Sequence, residues 1–510
     1  MVMRVSQLAD ILGALSVSGD PNVEILTVSY DSRMVRPGAL FAAVRGMKLD
    51  GRRYIQMAID GGASAILTDA PLEGDPGVPV ITVPDARSGM ALAAAALHGH
   101  PAGAMTMIGI TGTNGKTTTS FLLEAILNQA GISTGVIGTV NFRYGGREFP
   151  APNTTPEGPD LQSILAGMRD AGTSHVIMEV SSHALSLSRV AGCGFDIAVF
   201  TNLSQDHLDF HEDMETYFQA KKSLFGPLLS GRRLPGGPKA IINRDDTWGR
   251  TLAADLGPKV LTFGLEDAAD VHPVQMTADR KGLTARLKIP NEEFDIRSGL
   301  LGDVNMYNIL AATASALALG IGPPLVVAGL AAASSVPGRL ERVGGQDDFL
   351  ALIDYAHTPD ALERVLKVAR ELKPRRLITL FGCGGDRDKT KRPLMGRAVG
   401  RLSDLAIVTS DNPRTEPPLA IIEQIISGLT PLNLTRHEPA DLNGNFPSGA
   451  YTALPDRREA IHLACRLLDR GDLLIVAGKG HEDYQILGRD KIHFDDREEV
   501  RKALKMAGKY

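Results

Sequence analysis

Gly112-Thr113-Asn114-Gly115-Lys116-Thr117-Thr118 is a stretch whose residue types and spacing point to a chemistry before any fold is considered. Glycines let a backbone come close to an anion, and successive N–H groups at a helix start give that anion a partial positive charge. A lysine closing such a turn reaches the β- and γ-phosphates of a nucleotide, and the hydroxyl after it ligates magnesium. Lys116 and Thr117 stand in those places. The spacing is shorter than G-x-x-x-x-G-K-[ST], so the regular expression fails while the chemistry survives. The bland alternative, a glycine turn that merely ends a strand, leaves a lysine and three threonines at a helix start with no use. The stretch is therefore expected to bind ATP with Mg²⁺.

Other chemistry-bearing residues recur at the ends of apolar runs. His175 to Val180 is a buried-type strand ending in Glu179, and ligands sit beyond the carboxyl ends of parallel strands. Glu179 is thus a candidate metal ligand or water-orienting group. Ala198 to Leu203 is followed directly by Asp206-His207-Leu208-Asp209, which places His207 between two aspartates just past a strand. Lys221 falls in a helix over Tyr217–Leu224. Further on, Ala351 to His357, Arg376 to Phe381, Leu405 to Thr409 and Leu473 to Ala477 are strands. The last three lead into Gly382–Asp388, Ser410-Asp411-Asn412-Pro413-Arg414 and Gly478-Lys479-Gly480-His481-Glu482, which predicts a second parallel sheet with ligand-binding loops.

The elements that must position these groups alternate along the chain. Met105–Ile110 reads as a strand, Ser120–Ala130 as a helix, and Gly135–Val140 as a strand leading into a hairpin through Tyr144-Gly145-Gly146. Before them, Val5–Leu12 reads as a helix, Val23–Val28 as one alternating strand, Leu40–Val44 as a strand, and Asp85 as the start of an alanine-rich helix. Asp31-Ser32-Arg33 either caps locally or meets a ligand. A second alanine-rich helix covers Ile309–Leu319, opened by Gly302–Asn308. Asn433–Ala450, rich in Pro, Gly and Asn, reads as an irregular insertion.

The expected fold class is α/β with three domains: residues 1–103, a central P-loop ATPase with a mainly parallel sheet over 104–338, and a domain with the second parallel sheet over 339–510. A length of 510 residues suits that number at about 150 each. The composition, 43% hydrophobic and 22% charged with a formal net charge of −5, is ordinary for a globular protein and argues against nucleic acid as a partner. Cys193, Cys383 and Cys465 are too scattered for a disulfide framework or zinc knuckle. The first residues lack the apolar core of a signal peptide, and no stretch approaches the ~20 apolar residues of a membrane span. A cytoplasmic enzyme, monomeric, is the expectation.

In combination, G-T-N-G-K-T-T at 112–118, N-T-T-P at 153–156, E-V-S-S-H at 179–183, D-H-L-D at 206–209, D-N-P-R at 411–414 and G-K-G-H-E at 478–482 resemble the Mur ligases over nearly the whole chain. That family's phosphate loop has the shortened form seen here, and the resemblance implies that 1–103 holds the UDP sugar and that 339–510 is a Rossmann-like domain binding the amino acid. The resemblance implies a ligase of peptidoglycan precursor synthesis that activates a carboxylate with ATP as an acyl phosphate and couples it to an amine. The implied substrates are UDP-N-acetylmuramoyl-L-Ala-D-Glu and meso-diaminopimelate. By resemblance Lys116, Glu179, His207 and Lys221 are catalytic, with Thr117, Glu179 and His207 serving magnesium. A cationic Lys221 would repel the metal; in the family the matching lysine is carbamylated, and a carbamate offers two anionic oxygens.

The same resemblance puts Asn305 and Asn308 near the adenine, Arg339 near the ATP phosphates and Asp354 near the ribose. Tyr30, Ser32, Met47, Lys48 and Leu49 fall on the UDP-sugar side, and Asn153, Thr154, Thr155, Ser181 and Arg189 on the sugar-peptide. Leu187 departs from the glutamine often found there. Arg387, Asp411, Asn412, Pro413, Arg414, Gly478 and Glu482 would hold diaminopimelate: a guanidinium fork fits its distal carboxylate, and Pro413 stiffens the loop that aims Arg414. A lysine-adding Mur ligase, a folylpolyglutamate synthase and a non-catalytic nucleotide-binding regulator are the competing readings.

Overall fold

The structure is a computed structural model that describes residues 1–46, 49–344, 348–444 and 446–509. By compactness it falls into two units: Met1–Val274 with Arg286–Asp295 and Tyr307–Ala332, and Gln275–Ala285 with Ile296–Met306 and Ala333–Tyr510. Among the described residues no helix is long and apolar enough to cross a membrane.

Thr106–Thr111 is buried at every position, which suits a strand covered on both faces in the middle of a parallel sheet. It lies fifth in an eight-stranded sheet ordered Arg147–Pro150, Asn141–Tyr144, Thr134–Ile137, His175–Glu179, Thr106–Thr111, Ile197–Phe200, Lys239–Asn243, Val260–Phe263. The six from Thr134 onward run parallel, and the hairpin at the edge is antiparallel. From Thr106–Thr111 the chain moves outward to Thr134–Ile137, returns between them as His175–Glu179, then crosses to Ile197–Phe200. The strand order therefore reverses at Thr106–Thr111, where open α/β sheets bind ligands. The register pairs Ile110 with Glu179 and Thr111 with Phe200, so the three strand ends finish level.

The helix after this strand is Lys116–Gln129, four residues earlier than apolar spacing alone suggests. Gly115 takes φ 87°, a left-handed turn that glycine adopts without steric cost and that leads straight into helix. Thr117, Thr118, Thr119 and Ser120 are all buried in the first turns.

The amino-terminal part adds a five-stranded sheet ordered Ser16–Ser18, Val80–Thr82, Ala63–Thr68, Ala39–Ala42, Thr27–Ser29. The single strand expected over Val23–Val28 is two. Glu24–Ile25 pairs antiparallel with Met3–Arg4, and Thr27–Ser29 pairs parallel with Ala39–Ala42. Alternation is the same on both sides of Leu26, but the partner changes there. Asp85 caps the helix Ala86–Leu97 through Arg87 N at 2.9 Å and Ser88 N at 3.2 Å. Its small residues admit the helix Gly158–Asp170 so closely that a Cβ on Gly158 would sit 2.5 Å from that of Ala91.

The second unit is built on a seven-stranded sheet ordered Glu341–Gly344, Leu350–Asp354, Leu473–Ala477, Leu377–Phe381, Leu405–Val408, Ala450–Ala453, Thr435–Arg436, parallel from Leu350 onward. The ends of Leu350–Asp354, Leu473–Ala477, Leu377–Phe381 and Leu405–Val408 are thereby neighbours. The segment expected to be irregular over Asn433–Ala450 is mostly so, yet it buries Leu442 and Phe446, and the Arg376 guanidinium stacks 4.3 Å over the Phe446 ring. Sequence alternation singled out no element between Asn243 and Gly302. The structure has a helix at Thr247–Leu256 and a three-stranded sheet of His272–Asp279, Gly282–Ile289 and Glu292–Ser298 there.

Candidate active site

The phosphate loop is braced by the neighbouring strand end. Thr201 Oγ1 donates to Asn114 O at 2.6 Å, Asn202 Oδ1 accepts from Asn114 N at 3.0 Å, and Asn202 O accepts from Thr113 N at 2.9 Å. Thr113 Oγ1 lies 3.1 Å from the Tyr217 hydroxyl and accepts from Ser204 N at 3.0 Å. Gly112 (φ 145°) and Gly115 leave no room for side chains: a Cβ would meet Thr201 Oγ1 at 1.9 Å and Asn308 Oδ1 at 2.3 Å. Asn308 also accepts from Thr119 Oγ1 at 3.4 Å, so one end of the helix Val304–Ala318 touches the loop. Asn305, one turn earlier, instead donates to Leu301 O at 2.7 Å.

Glu179 is 1% exposed, and its carboxylate is aimed by three donors. Thr117 Oγ1 at 2.9 Å and Thr139 Oγ1 at 2.8 Å reach Oε2, and Thr139 N at 3.0 Å reaches Oε1. Thr139 was invisible to sequence reasoning, because its contact with Glu179 spans 40 residues.

Lys116 Nζ donates to Gly112 O at 2.8 Å and Thr113 O at 3.0 Å, and Lys221 Nζ donates to the same Gly112 O at 3.0 Å. Two amines on one carbonyl cannot both stay comfortably charged. Burial first, and the Lys116 charge second, hold the Lys221 ammonium well below the usual lysine range. The Tyr217 ring lies 4.5 Å from Lys221 Nζ. His207 sits at φ 54° with its ring 4.9 Å from His183 and 6.2 Å from Tyr217, and its Nε2 is 3.6 Å from Asp206.

A second set of loops gathers beside Glu179. Thr155 Oγ1 donates to Glu179 O at 2.8 Å and accepts from Ser181 N at 3.1 Å; Thr154 Oγ1 is 3.1 Å from Thr139 Oγ1; Asn153 is exposed. Ser181 caps the helix Ser182–Ser186 through Ala184 N. Arg189 pairs with Glu157 at 2.6 Å and donates to Thr155 O at 3.0 Å, which fixes the Asn153–Pro156 turn. Tyr30 reaches this side through a 2.6 Å hydrogen bond from its hydroxyl to Asp160 Oδ2. Ser32 Oγ lies 3.2 Å from Met57 Sδ, while Asp31 both caps the turn Ser32–Met34 and pairs with Arg33 at 2.6 Å, the local alternative for that motif. Leu49 is exposed. Met47 and Lys48 lie outside the described residues.

In the second unit, buried Asp354 accepts from Leu340 N and Ala356 N, both at 2.8 Å. Burial pushes its carboxyl up, against the pull of the Arg339 charge. Arg339 stacks 5.1 Å over Tyr355, whose ring also lies 5.0 Å from His481.

Three further loops of this unit interlock. Asn412 Nδ2 donates to Glu482 Oε2 at 3.0 Å and Asn412 Oδ1 accepts from Ile486 N at 2.9 Å; Gln485 Nε2 donates to Asp411 O at 2.7 Å. Buried Lys479 holds Glu482 at 3.1 Å. A Cβ on Gly478 would lie 2.6 Å from Asp411 Oδ2. Among the described residues the Arg414 guanidinium, at a backbone φ of 52°, donates only to carbonyls, Gly385 O at 2.9 Å and Asn412 O at 3.4 Å. Arg387 flanks the same glycines: a Cβ on Gly384 would lie 2.9 Å from Arg414 Nη1 and 3.7 Å from Arg387 Cγ.

The chain is similar to known proteins. The description "Mur ligase middle domain" matches residues 110–316, "Mur ligase, glutamate ligase domain" matches 338–480, and "Mur ligase family, catalytic domain" matches 24–100. A protein of Geobacter metallireducens named UDP-N-acetylmuramoyl-L-alanyl-D-glutamate–2,6-diaminopimelate ligase is 47% identical over 99% of this chain and 98% of its own length. This chain belongs to the Mur ligase family. A solved structure of a ligase with that same name is 31% identical, with a TM-score of 0.70 and full coverage of both chains. A Mycobacterium tuberculosis folylpolyglutamate synthase complexed with ADP and AMPPCP is 20% identical, with a TM-score of 0.61 over 76% of the chain, and shares the fold alone.

The three-domain α/β fold of the Mur ligases is thus the fold of this protein. Of the sequence-derived site residues, the structure joins Thr117 with Glu179, Lys116 with Lys221, and Asp411 and Asn412 with Gly478 and Glu482.

Proposed function

We infer that this Mur ligase joins meso-2,6-diaminopimelate to the D-glutamate carboxylate of UDP-N-acetylmuramoyl-L-Ala-D-Glu, coupled to ATP cleavage. The observation that carries the choice of amine is Arg414, a guanidinium with no carboxylate partner among the described residues, on a loop tied to Glu482. Meso-diaminopimelate differs from lysine by one distal carboxylate, and a selective site must meet it with a cation. Arg414 and Arg387 supply that charge, and Glu482 faces the ammonium. Folylpolyglutamate synthesis adds glutamate, which has a distal carboxylate but no distal ammonium for Glu482 to face.

The substrate carboxylate oxygen attacks the γ-phosphorus of ATP and the bond to the ADP oxygen breaks, giving an acyl phosphate. The amine nitrogen then attacks the acyl carbon, the C–O bond to phosphate breaks, phosphate leaves and the amine loses a proton. The loop N–H groups from Gly112 to Thr118 hold the β- and γ-phosphates and Lys116 neutralises their charge. By the family resemblance Asn305 and Asn308 are assigned to the adenine, Arg339 to the ATP phosphates and Asp354 to the ribose. Tyr30, Ser32, Asn153, Thr154, Thr155, Ser181 and Arg189 line the sugar-peptide side.

Thr117 and Glu179 fit magnesium. A hydroxyl and a carboxylate 2.9 Å apart at the loop mouth are hard oxygen donors, and magnesium takes one or two carboxylates plus phosphate oxygens rather than an all-protein cage. When bound, the ion screens phosphate charge. Lys221 contributes as a carbamate and His207 as a further ligand. The domains run 1–103, 104–338 and 339–510, and the enzyme acts as a cytoplasmic monomer.

The test is Arg414→Ala. A charge-assisted contact is worth roughly 1.5–3 kcal/mol, so KM for diaminopimelate should rise at least about tenfold while KM for ATP barely moves. Unchanged diaminopimelate kinetics would contradict the assignment.

A further inference from the structure

Arg414 is followed two residues later by Glu416, a carboxylate that would be its natural local partner. The two side chains flank the same pair of glycines. A Cβ on Gly385 would sit 3.4 Å from Glu416 Cβ, and a Cβ on Gly384 would sit 2.9 Å from Arg414 Nη1. Yet Glu416 is fully engaged elsewhere. Arg392, on the helix Lys391–Leu402, has a side chain with 0% exposure and grips it with two parallel bonds, Nη1 to Oε2 at 3.0 Å and Nη2 to Oε1 at 2.9 Å. Glu416 Oε1 also accepts from Asp386 N at 2.7 Å, and Lys389 Nζ is 3.2 Å from Oε2.

Arg392 is itself aimed. Gln424 Oε1 accepts from Nη1 at 2.8 Å and Gly384 O from Nη2 at 3.2 Å. Its buried Nε finds no partner among the described residues, so the charge is matched through the two Nη atoms. A buried guanidinium that lost its carboxylate would be costly, which makes this grip far firmer than a surface pair. The bonds from Arg392 hold the Glu416 carboxyl down to about 2, so it stays an ion at neutral pH.

We propose that the Arg392–Glu416 pair sets the preference for an amine bearing a second carboxylate, by keeping Glu416 off Arg414 so that the Arg414 guanidinium is left for the substrate. This rests on the reading that Arg414 receives the distal carboxylate of diaminopimelate. Arg392 and Glu416 are positioning residues and touch no substrate. If Glu416 were released it would neutralise Arg414, and the site would lose the charge that separates diaminopimelate from lysine.

The experiment compares wild type, Arg392→Gln, Glu416→Gln and the double variant, with KM measured for meso-diaminopimelate, L-lysine and ATP. Arg392→Gln should raise KM for diaminopimelate about tenfold and leave KM for lysine and ATP within about twofold. Adding Glu416→Gln should bring KM for diaminopimelate back to within about threefold of wild type, because a neutral amide cannot compete for Arg414. A pair that merely staples the loops would instead give a double variant no better than Arg392→Gln, or raise KM for both amines alike, and either result overturns the proposal. Should Arg392→Gln not fold, Glu416→Gln alone decides: KM for diaminopimelate within about twofold of wild type supports it, and a tenfold rise overturns it. A wild-type enzyme that uses lysine as well as diaminopimelate would instead overturn the underlying choice of amine.

Discussion

Lys221 and Lys116 share the carbonyl of Gly112, at 3.0 and 2.8 Å. That contact gives a physical reason for a lysine to be modified: burial and the neighbouring charge disfavour its ammonium, and a neutral amine is the form that adds carbon dioxide. If the resulting carbamate serves the active site, Lys221→Ala should be nearly inactive and partly rescued by short carboxylates such as acetate in an ADP-release assay. Full activity of the unrescued variant would contradict this. Side chains differ in how far sequence could reveal them. Lys116 and Thr117 were legible because their chemistry is local to one turn. Thr139 and the Arg392–Glu416 pair were not, because their partners lie 40 and 24 residues away and nothing in the intervening sequence encodes the meeting. Lys221 stood out only through the resemblance to the Mur ligases.

Elements were legible where burial is one-sided or complete, and illegible where pairing decides. The strand His175–Glu179 and the four strand ends of the second sheet follow from apolar runs closed by polar loops. The break at Leu26 does not, since alternation cannot say which sheet a strand joins. At this scale the interlocking loops make a sharp expectation. A Cβ on Gly385 would lie 1.8 Å from Pro413 O, so Gly385→Ala must push apart the loops that carry Arg387 and Arg414. Misplacing binding groups by about 1 Å can cost roughly a hundredfold, and kcat/KM for diaminopimelate should fall by that order while nucleotide binding, measured by calorimetry, persists. Gly444→Ala, where a Cβ meets nothing within 4 Å, is the control and should behave as wild type. Equal kinetics of the two variants would refute the loop coupling.

For the whole molecule, composition excluded broad classes and motif order supplied the family, whereas the division of the chain into compact units could not be read from either. The stretch from Gln275 to Met306, which carries the three-stranded sheet, is divided between the two units, a non-local outcome. Cys193, Cys383 and Cys465 are all buried with thiols pushed up to about 12, which leaves no reactive thiol among them. The central claim is that ATP, a UDP-sugar dipeptide and a dicarboxylic diamine meet in one reaction. It is tested most directly by ADP release from the full chain supplied with UDP-N-acetylmuramoyl-L-Ala-D-Glu and either amine. The account predicts release that requires the sugar dipeptide and is at least about tenfold more efficient with meso-diaminopimelate than with L-lysine. Equal rates with both amines, or release that ignores the sugar dipeptide, would contradict it.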